Sequence, residues 1–304
     1  MKKSARNRII IWSVVSVVLI AVLVAGLKIT SGSNNIFSDG IVLGGFSAIE
    51  NSENLKRGNA ELSSSDIDSI LVEWSNGSVE VITEKTDKIT IYVEEGSAKS
   101  ENDRMHYIND NGTLKIYSRK ITGWNFWSDL TSKKLVITVP ESKNFEDFKI
   151  STASAGAILS NIKAETLSVS TASGNLEISD SEGNSLNTDS ASGNIILSNC
   201  NFEKINSDIV SGVMKIDGTF SELNANGVSG EIYAQSYNNF NSIEIESVSG
   251  GIHITLPETI NGIDLDYDTV SGKLESDFPT TSTSGSPSLD IDTVSGNIEV
   301  LRAA

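Results

Sequence analysis

Hydrophobic and polar residues alternate along most of this chain, and the alternation returns with a period of about 19 residues. Each period centres on a Ser-Gly pair. The glycines of these pairs are Gly174, Gly193, Gly212, Gly230, Gly250, Gly272 and Gly296. Successive glycine numbers differ by 19, 19, 18, 20, 22 and 24. Self-similarity at a nearly fixed period of this size is typical of a repeat architecture.

Four hydrophobic columns appear when each glycine is numbered as position 0. Position −7 holds Leu167, Leu186, Ile205, Leu223, Ile243, Leu265 and Leu289. Position −2 holds Ala172, Ala191, Val210, Val228, Val248, Val270 and Val294. Position +2 holds Leu176, Ile195, Met214, Ile232, Ile252, Leu274 and Ile298, and position +4 is also mostly aliphatic. Because side chains alternate along an extended chain, positions +2 and +4 predict a half-buried strand after each glycine. A shorter strand precedes the glycine, which forms the corner between the two.

One period contains too few aliphatic residues to bury a core alone. Stacked copies would join each column into a continuous apolar ladder. The sequence therefore predicts an all-β fold, a parallel β-solenoid of roughly 19–20-residue coils, with successive coils paired in register about 4.8 Å apart. Ser, Asn and Thr at equivalent corners should form polar ladders on the outside.

The same template extends upstream in weaker form. Around Gly77 and Gly112, hydrophobic residues fall at the same positions. One further coil is predicted to end at Gly156, with Ala155 interpreted as an inserted residue before it. The repeat domain is predicted to cover residues 65–304.

Two insertions interrupt the repeat, at residues 121–132 and 277–288, and insertions into solenoids form loops on one face. The first carries Trp124, Phe126 and Trp127. These aromatic residues are the candidate binding residues, because aromatic side chains on a loop can anchor a partner protein, a glycan or a membrane leaflet. The alternative is that they cap an open end of the solenoid.

The N-terminal residues predict a membrane anchor. Residues 1–8 form a basic leader without acidic residues, and residues 9–27 carry no charge. As a helix this uncharged run would be about 28 Å long, enough to span the hydrocarbon core. The basic leader places the N-terminus in the cytoplasm and the repeat domain outside. A cleaved signal peptide is the alternative. Residues 28–64, rich in Ser, Gly and Asn, are interpreted as a spacer.

Charge and cysteine content indicate which partners the domain excludes and in which compartment it functions. The chain beyond the leader has 19 basic and 40 acidic residues, a net charge of −21. Such a domain should be repelled by nucleic acid and by anionic lipid headgroups. The single cysteine, Cys200, cannot form an internal disulfide. An extracytoplasmic domain without disulfides fits a bacterial envelope better than a eukaryotic secretory route.

Catalytic chemistry finds little support in the sequence. A Ser-Gly pair that recurs in every coil serves the coil, whereas a catalytic serine needs a single strained turn and one base. The chain has two histidines, His106 and His253. His253 falls at position +3 and is predicted to be a solvated surface residue. The sequence predicts no catalytic residue, cofactor or zinc site.

Calcium is the one cation whose ligand spacing the sequence partly matches. Asp264, Asp266, Asp268 and Glu275 match acidic positions of an EF-hand loop, but Thr269 stands where that loop needs glycine. No helical pattern flanks these residues. An acidic, solvated strand edge is the preferred interpretation, and a weak ion site is the alternative.

The repeat resembles a known bacterial family. Copies such as Thr293–Val300, with the sequence TVSGNIEV, resemble the β-strand-repeat family often labelled "putative adhesin". The predicted anchor resembles the layout of LiaG-like membrane-anchored envelope proteins, which are encoded with envelope-stress systems. The resemblance implies a repetitive β fold and an envelope location, and it carries over no catalytic residue. We therefore expect a non-enzymatic surface domain that binds an envelope protein or glycan. The alternatives are a scaffold of a membrane complex and a polysaccharide-acting β-helix enzyme.

Overall fold

The computed structural model describes residues 54–94, 104–119, 132–278 and 286–303, which form an all-β domain with a 3-10 turn at Ser64–Asp66. Within these ranges no helix is long and apolar enough to cross a membrane. The predicted anchor at residues 9–27 lies outside the described residues. So do Trp124, Phe126 and Trp127.

Twenty strands make up the described ranges. The first seven are β1 (Lys56–Arg57), β2 (Ala60–Ser63), β3 (Ser69–Glu84), β4 (Lys88–Glu94), β5 (His106–Asp110), β6 (Thr113–Tyr117) and β7 (Lys133–Pro140). The next seven are β8 (Phe145–Ser160), β9 (Lys163–Thr171), β10 (Leu176–Ser179), β11 (Glu182–Ser190), β12 (Ile195–Ser211), β13 (Met214–Ser229) and β14 (Ile232–Ser236). The last six are β15 (Ser242–Ser249), β16 (Ile252–Leu256), β17 (Asp264–Ser271), β18 (Leu274–Ser276), β19 (Ser288–Ser295) and β20 (Ile298–Arg302).

The strands form two ladders that meet at the glycine corners. Both ladders are parallel except at one end, where the β1–β5, β5–β6, β2–β4 and β4–β7 pairs are antiparallel. We call the strand segments before the glycines the leading sheet and those after them the trailing sheet. The leading sheet has the order β1-β5-β6-β3-β8-β9-β11-β12-β13-β15-β19-β17. The trailing sheet has the order β2-β4-β7-β3-β8-β10-β12-β13-β14-β16-β20-β18. Pairs such as Leu176 with Ile195 confirm the predicted in-register stacking.

The core lies between the two sheets. Leu167, Leu186 and Ile205 at position −7 are fully buried, as are Ile195 and Ile252 at position +2. These columns confirm the predicted apolar ladders. A further inward column, at position −10 near the opposite corner, was not predicted. It contains the buried residues Phe145, Ala164, Phe202, Phe220 and Phe240.

The prediction that position −2 belongs to the core is wrong. Val210, Val228 and Val248 are only half-buried, whereas Thr171 and Ser190 at position −3 are buried. The reason is alternation: positions −7, −5 and −3 share one side of a strand, and position −2 lies on the other side. The leading sheet therefore carries a half-buried Ala/Val ladder on its outer face.

The prediction that successive coils are always neighbours holds in the middle of the domain and fails at both ends. The last coil, β19 and β20, lies between the coil of β15 and β16 and the coil of β17 and β18. At the other end, β3 lies between β8 and the coil formed by β6 and β7. Parallel coils with equivalent columns can stack in either order, so periodicity does not determine the order.

Two upstream assignments are also corrected. Gly112 lies in the turn of an antiparallel hairpin between β5 and β6 and does not form a solenoid corner. Ala155 is not an insertion, because it pairs with Gly77 and occupies the glycine column itself. Gly156 therefore stands at position +1.

Candidate binding face

The glycine corners have a structural role. Gly193 and Gly212 have φ values of +133° and +135°, a region that side chains disfavour. A Cβ atom on Gly174 would lie 2.5 Å from the carbonyl oxygen of Ala155, and the same collision with the neighbouring coil recurs at Gly193 and Gly212. These three corners need glycine because the backbones of stacked coils touch there. This supports the prediction that the Ser-Gly pairs belong to the coil.

Polar ladders run along the corners as predicted. The side-chain oxygen of Asn175 accepts a hydrogen bond from the backbone N–H of Asn194 at 3.0 Å. The side-chain oxygen of Asn194 does the same for Val213, again at 3.0 Å. These bonds tie successive coils together outside the core.

The outer face of the trailing sheet collects exposed hydrophobic side chains. Three large exposed hydrophobic residues lie on its strands, Tyr92, Ile158 and Leu301, and a fourth, Val213, directly precedes β13. A fifth, Tyr237, directly follows β14. The other exposed large hydrophobic residues among the described ranges, Tyr267 and Val270, lie on β17. The distribution matters because exposed apolar side chains that share one face can contribute to an interaction surface.

An aromatic and acidic cluster stands on the same face. The rings of Tyr233 and His253 stack with centroids 4.7 Å apart and an interplanar angle of 10°. Nδ1 of His253 lies 2.8 Å from a carboxylate oxygen of Glu299, and the Tyr233 hydroxyl donates to Glu231. Gly251 leaves room for the imidazole, since a Cβ there would lie 2.8 Å from its Nε2.

The orientation predicted for His253 is therefore right, but its environment is not. It points outward, yet it is half-buried and contacts Tyr233 on one side and Glu299 on the other. Tyr233 occupies position +3 of the preceding coil, so sequence spacing could have suggested the stacking. Glu299 belongs to the inserted last coil, and only the coil order brings it near.

Beside its Ala/Val ladder, the outer face of the leading sheet is polar at positions −6 and −4. Asn206 donates to the side-chain oxygen of Asn187 at 2.8 Å, and Asn224 donates to Asn206 at 3.1 Å. Two residues further along each strand, Asp189 and Asp208 are neighbours in register. Sequence reasoning did not single out this ladder, although its residues recur at positions −6 and −4.

Carboxylates in this ladder are shifted toward the neutral form. Burial, with a further contribution from the Asp208 charge, raises the pKa of Asp189 to about 7. Burial and the neighbouring charge of Asp290 raise the pKa of Asp292 to about 6. Burial also raises the pKa of Glu246. Asp189 and Asp292 therefore gain and lose protons near neutral pH.

The candidate ion site at Asp264, Asp266 and Asp268 does not form a metal-binding cluster. These residues alternate along the outward side of β17, where side chains two apart are separated by about 6.8 Å. Across the described ranges, no three His, Cys, Asp or Glu side chains are grouped closely enough to hold a metal ion.

Cys200 is an interior residue. It is buried, and its Sγ lies 3.5 Å from the carbonyl oxygen of Ile178. Burial raises the pKa of the thiol to about 11. A thiol in this state is a poor nucleophile, so it packs as a small hydrophobic side chain.

A family model described as Toastrack DUF4097 matches residues 67–301, which is most of the chain. The chain belongs to this family. The matched residues run from the end of the 3-10 turn to the last strand, so the Toastrack domain includes both ends at which the coil order changes. No curated protein matches the chain.

The solved structures that match this chain are distant in sequence and in structure. A Bacteroides fragilis protein described as a "putative adhesin" is 15% identical, with 82% of this chain and 98% of that chain covered and a TM-score of 0.44. A Parabacteroides distasonis protein described as a "putative lipid binding protein" is 18% identical, with 83% and 98% covered and a TM-score of 0.44. At this sequence identity and TM-score, neither structure indicates what the Toastrack domain of this chain binds.

Proposed function

We propose that this protein is a non-enzymatic, adhesin-like binding domain, held outside a bacterial membrane by the anchor predicted at residues 9–27. Its working surface is the outer face of the trailing sheet, and its partner is an envelope protein or glycan. The observation that carries this proposal is the placement of Tyr92, Ile158, Val213 and Leu301 on one face.

That face has the composition of a contact surface. Ile158 and Val213 supply apolar area, and Tyr233 adds an aromatic ring. Glu177 and Lys215 stand beside them as exposed charged residues. Aromatic and aliphatic side chains among polar neighbours are typical of protein interfaces. In-register strands hold these side chains at fixed spacings, so little conformational entropy is lost on binding.

The same geometry argues against a hydrolytic centre at His253. Its imidazole, Glu299 and Tyr233 are packed in a row along an open sheet face. A catalytic base works best in a site that excludes water and converges on one reacting atom. The row instead stabilises neighbouring coils.

Photo-crosslinking in intact cells tests the binding face. A photoreactive amino acid at Ile158 or at Val213 of the full-length protein should yield crosslinked adducts, which mass spectrometry can identify as protein or glycan. Glu244 and Asn226, exposed on the leading sheet, are the matched control positions. Adducts from the control positions alone, or none from the trailing face, would contradict the proposal.

The anchor has its own test. Protease added to cells stripped of their wall should digest the chain beyond residue 60 and leave an N-terminal fragment in the membrane. A fully protected repeat domain would show that the topology is wrong.

A further inference from the structure

Strand β17 ends the leading sheet. It pairs with β19 on one side, and no described strand pairs with its other side. Backbone N–H and C=O groups along such an edge offer a template for another strand. Because the last coil is inserted between β15 and β17, this edge belongs to an internal segment of the chain and not to its C-terminus.

Strand β17 also exposes side chains that are covered in every neighbouring coil. Tyr267 stands at position −5 and is 43% exposed, whereas its register partners Ile291 and Ile245 are fully buried. Val270 is 66% exposed, whereas Val294 at the same position is half-buried. A further strand beside β17 would cover both side chains as the inner coils cover theirs.

The charge of this edge identifies the chemistry of its partner. Asp264, Asp266 and Asp268 alternate along β17, and Asp290 and Asp292 lie beside the last two in register. Opposite charges on adjacent strands stabilise pairing, and like charges oppose it. A second copy of the same acidic edge would be repelled, so the complementary occupant is a basic strand.

We propose that β17 is a docking edge for an extended, basic segment of a partner protein, which adds to the leading sheet as a further parallel strand. Its lysine or arginine side chains would lie beside the aspartates, and its alternate apolar side chains would cover Tyr267. This is β-strand addition, in which the main chain gives affinity and alternate side chains give specificity. The site is separate from the trailing face.

Peptide binding to the full-length protein in detergent micelles tests the inference. The probe is a fluorescent eight-residue peptide that alternates lysine and valine. Two control peptides carry glutamate in place of lysine, or N-methyl groups on alternate residues that block backbone hydrogen bonding. We expect the lysine peptide alone to bind and to slow amide hydrogen exchange in β17 and not in the trailing face. Replacing Asp264, Asp266 and Asp268 together with asparagine should weaken binding at least tenfold.

Several outcomes would overturn the inference. Equal binding of the N-methylated peptide would show charge attraction without strand addition. Self-association that the three asparagine replacements change would identify a second copy as the occupant. Binding that occurs only after deletion of residues 279–285 would show that this segment of the same chain takes the edge. Loss of the trailing-face crosslinks, by contrast, would leave the peptide result unaffected.

Discussion

Ile252 lies beside Ile298 in the stacked trailing sheet, although a complete coil separates them in the sequence. The coil that follows Ile252 along the chain is displaced outward, and the last coil occupies the place next to it. The insertion brings Glu299 to His253 and leaves β17 at the end of the leading sheet. Both the cluster on the trailing face and the acidic edge thus follow from the coil order.

Engineered disulfides should report this order directly. Thr255 and Leu301 are register partners on the outer face, so cysteines at these two positions should form a disulfide in the folded protein. The control pairs Thr255 with Asp277, which holds the equivalent position in the coil that comes next in sequence. Two coil spacings, about 9.6 Å, separate that pair and exceed the reach of a disulfide. Non-reducing gel mobility and peptide mapping distinguish the pairs, and a disulfide only in the control would refute the order.

The glycine column predicts a contrast between two substitutions of similar size. Gly212→Ala forces a Cβ into the neighbouring coil at a φ of +135°, so we expect a loss of about 3 kcal/mol or more of unfolding free energy. Ala155→Gly, in the same column, should cost about 1 kcal/mol. Denaturant unfolding of both variants measures the difference. Equal losses would mean that the corner has no special need for glycine.

The strand register predicts a further contrast between adjacent residues. Ile252→Asp places a charge in the buried +2 column and should cost about 4 kcal/mol. His253→Gln faces outward and loses a ring stack and a bond to Glu299, so it should cost about 1 kcal/mol. Thermal and denaturant unfolding provide the comparison. A His253 variant as unstable as the Ile252 variant would contradict the observed register.

Sequence reasoning recovered the columns that are apolar in most coils. It missed one column of mixed residue size and the features that depend on which coils touch. The −7, +2 and +4 columns were predictable because most coils present an aliphatic residue at these positions. The inward −10 column was missed because Ala164 and Gly183 interrupt Phe145 and Phe202, so its hydrophobicity is not uniform. Glycine at position 183 has a physical reason, since a Cβ there would lie 1.7 Å from the carbonyl oxygen of Ala164 and 3.0 Å from the Phe202 ring.

The contacts on the candidate binding face were harder to predict from the sequence. The alternation predicted that His253 points outward, but the contact with Glu299 depends on the position of the last coil. The exposure of Ile158 depends on its register partners in the adjacent coils, which include the polar residue Glu177. The role of Trp124, Phe126 and Trp127, as a cap or a contact surface, stays a prediction because they lie outside the described residues.

The carboxylates at position −4 of the leading sheet predict that the domain is more stable in mild acid than at pH 8. Burial raises the folded-state pKa of Asp189 to about 7, above the ordinary value of 3.8 that applies to the unfolded chain. A group whose pKa is raised by folding binds its proton more tightly in the folded state, so its stabilisation is complete below pH 4 and is lost as pH rises through 7. Asp292, with a pKa of about 6, acts in the same direction. Between pH 5 and pH 8 we expect a loss of roughly 1–3 kcal/mol.

Asp189→Asn should remove much of this pH dependence and stabilise the domain at pH 8. The substitution has a precedent in the same column, where Asn226 donates a hydrogen bond of 2.8 Å to Asp208. An asparagine at position 189 would donate a hydrogen bond to Asp208 from the coil on its other side, and it would add no charge. Asp147→Asn, at an exposed position, is the matched control and should leave the pH profile unchanged. Denaturant unfolding at pH 5, 6, 7 and 8 measures the effect. A wild-type stability that rises across this range, or an Asp189→Asn profile as steep as that of wild type, would show that the ladder does not hold its protons as the structure indicates.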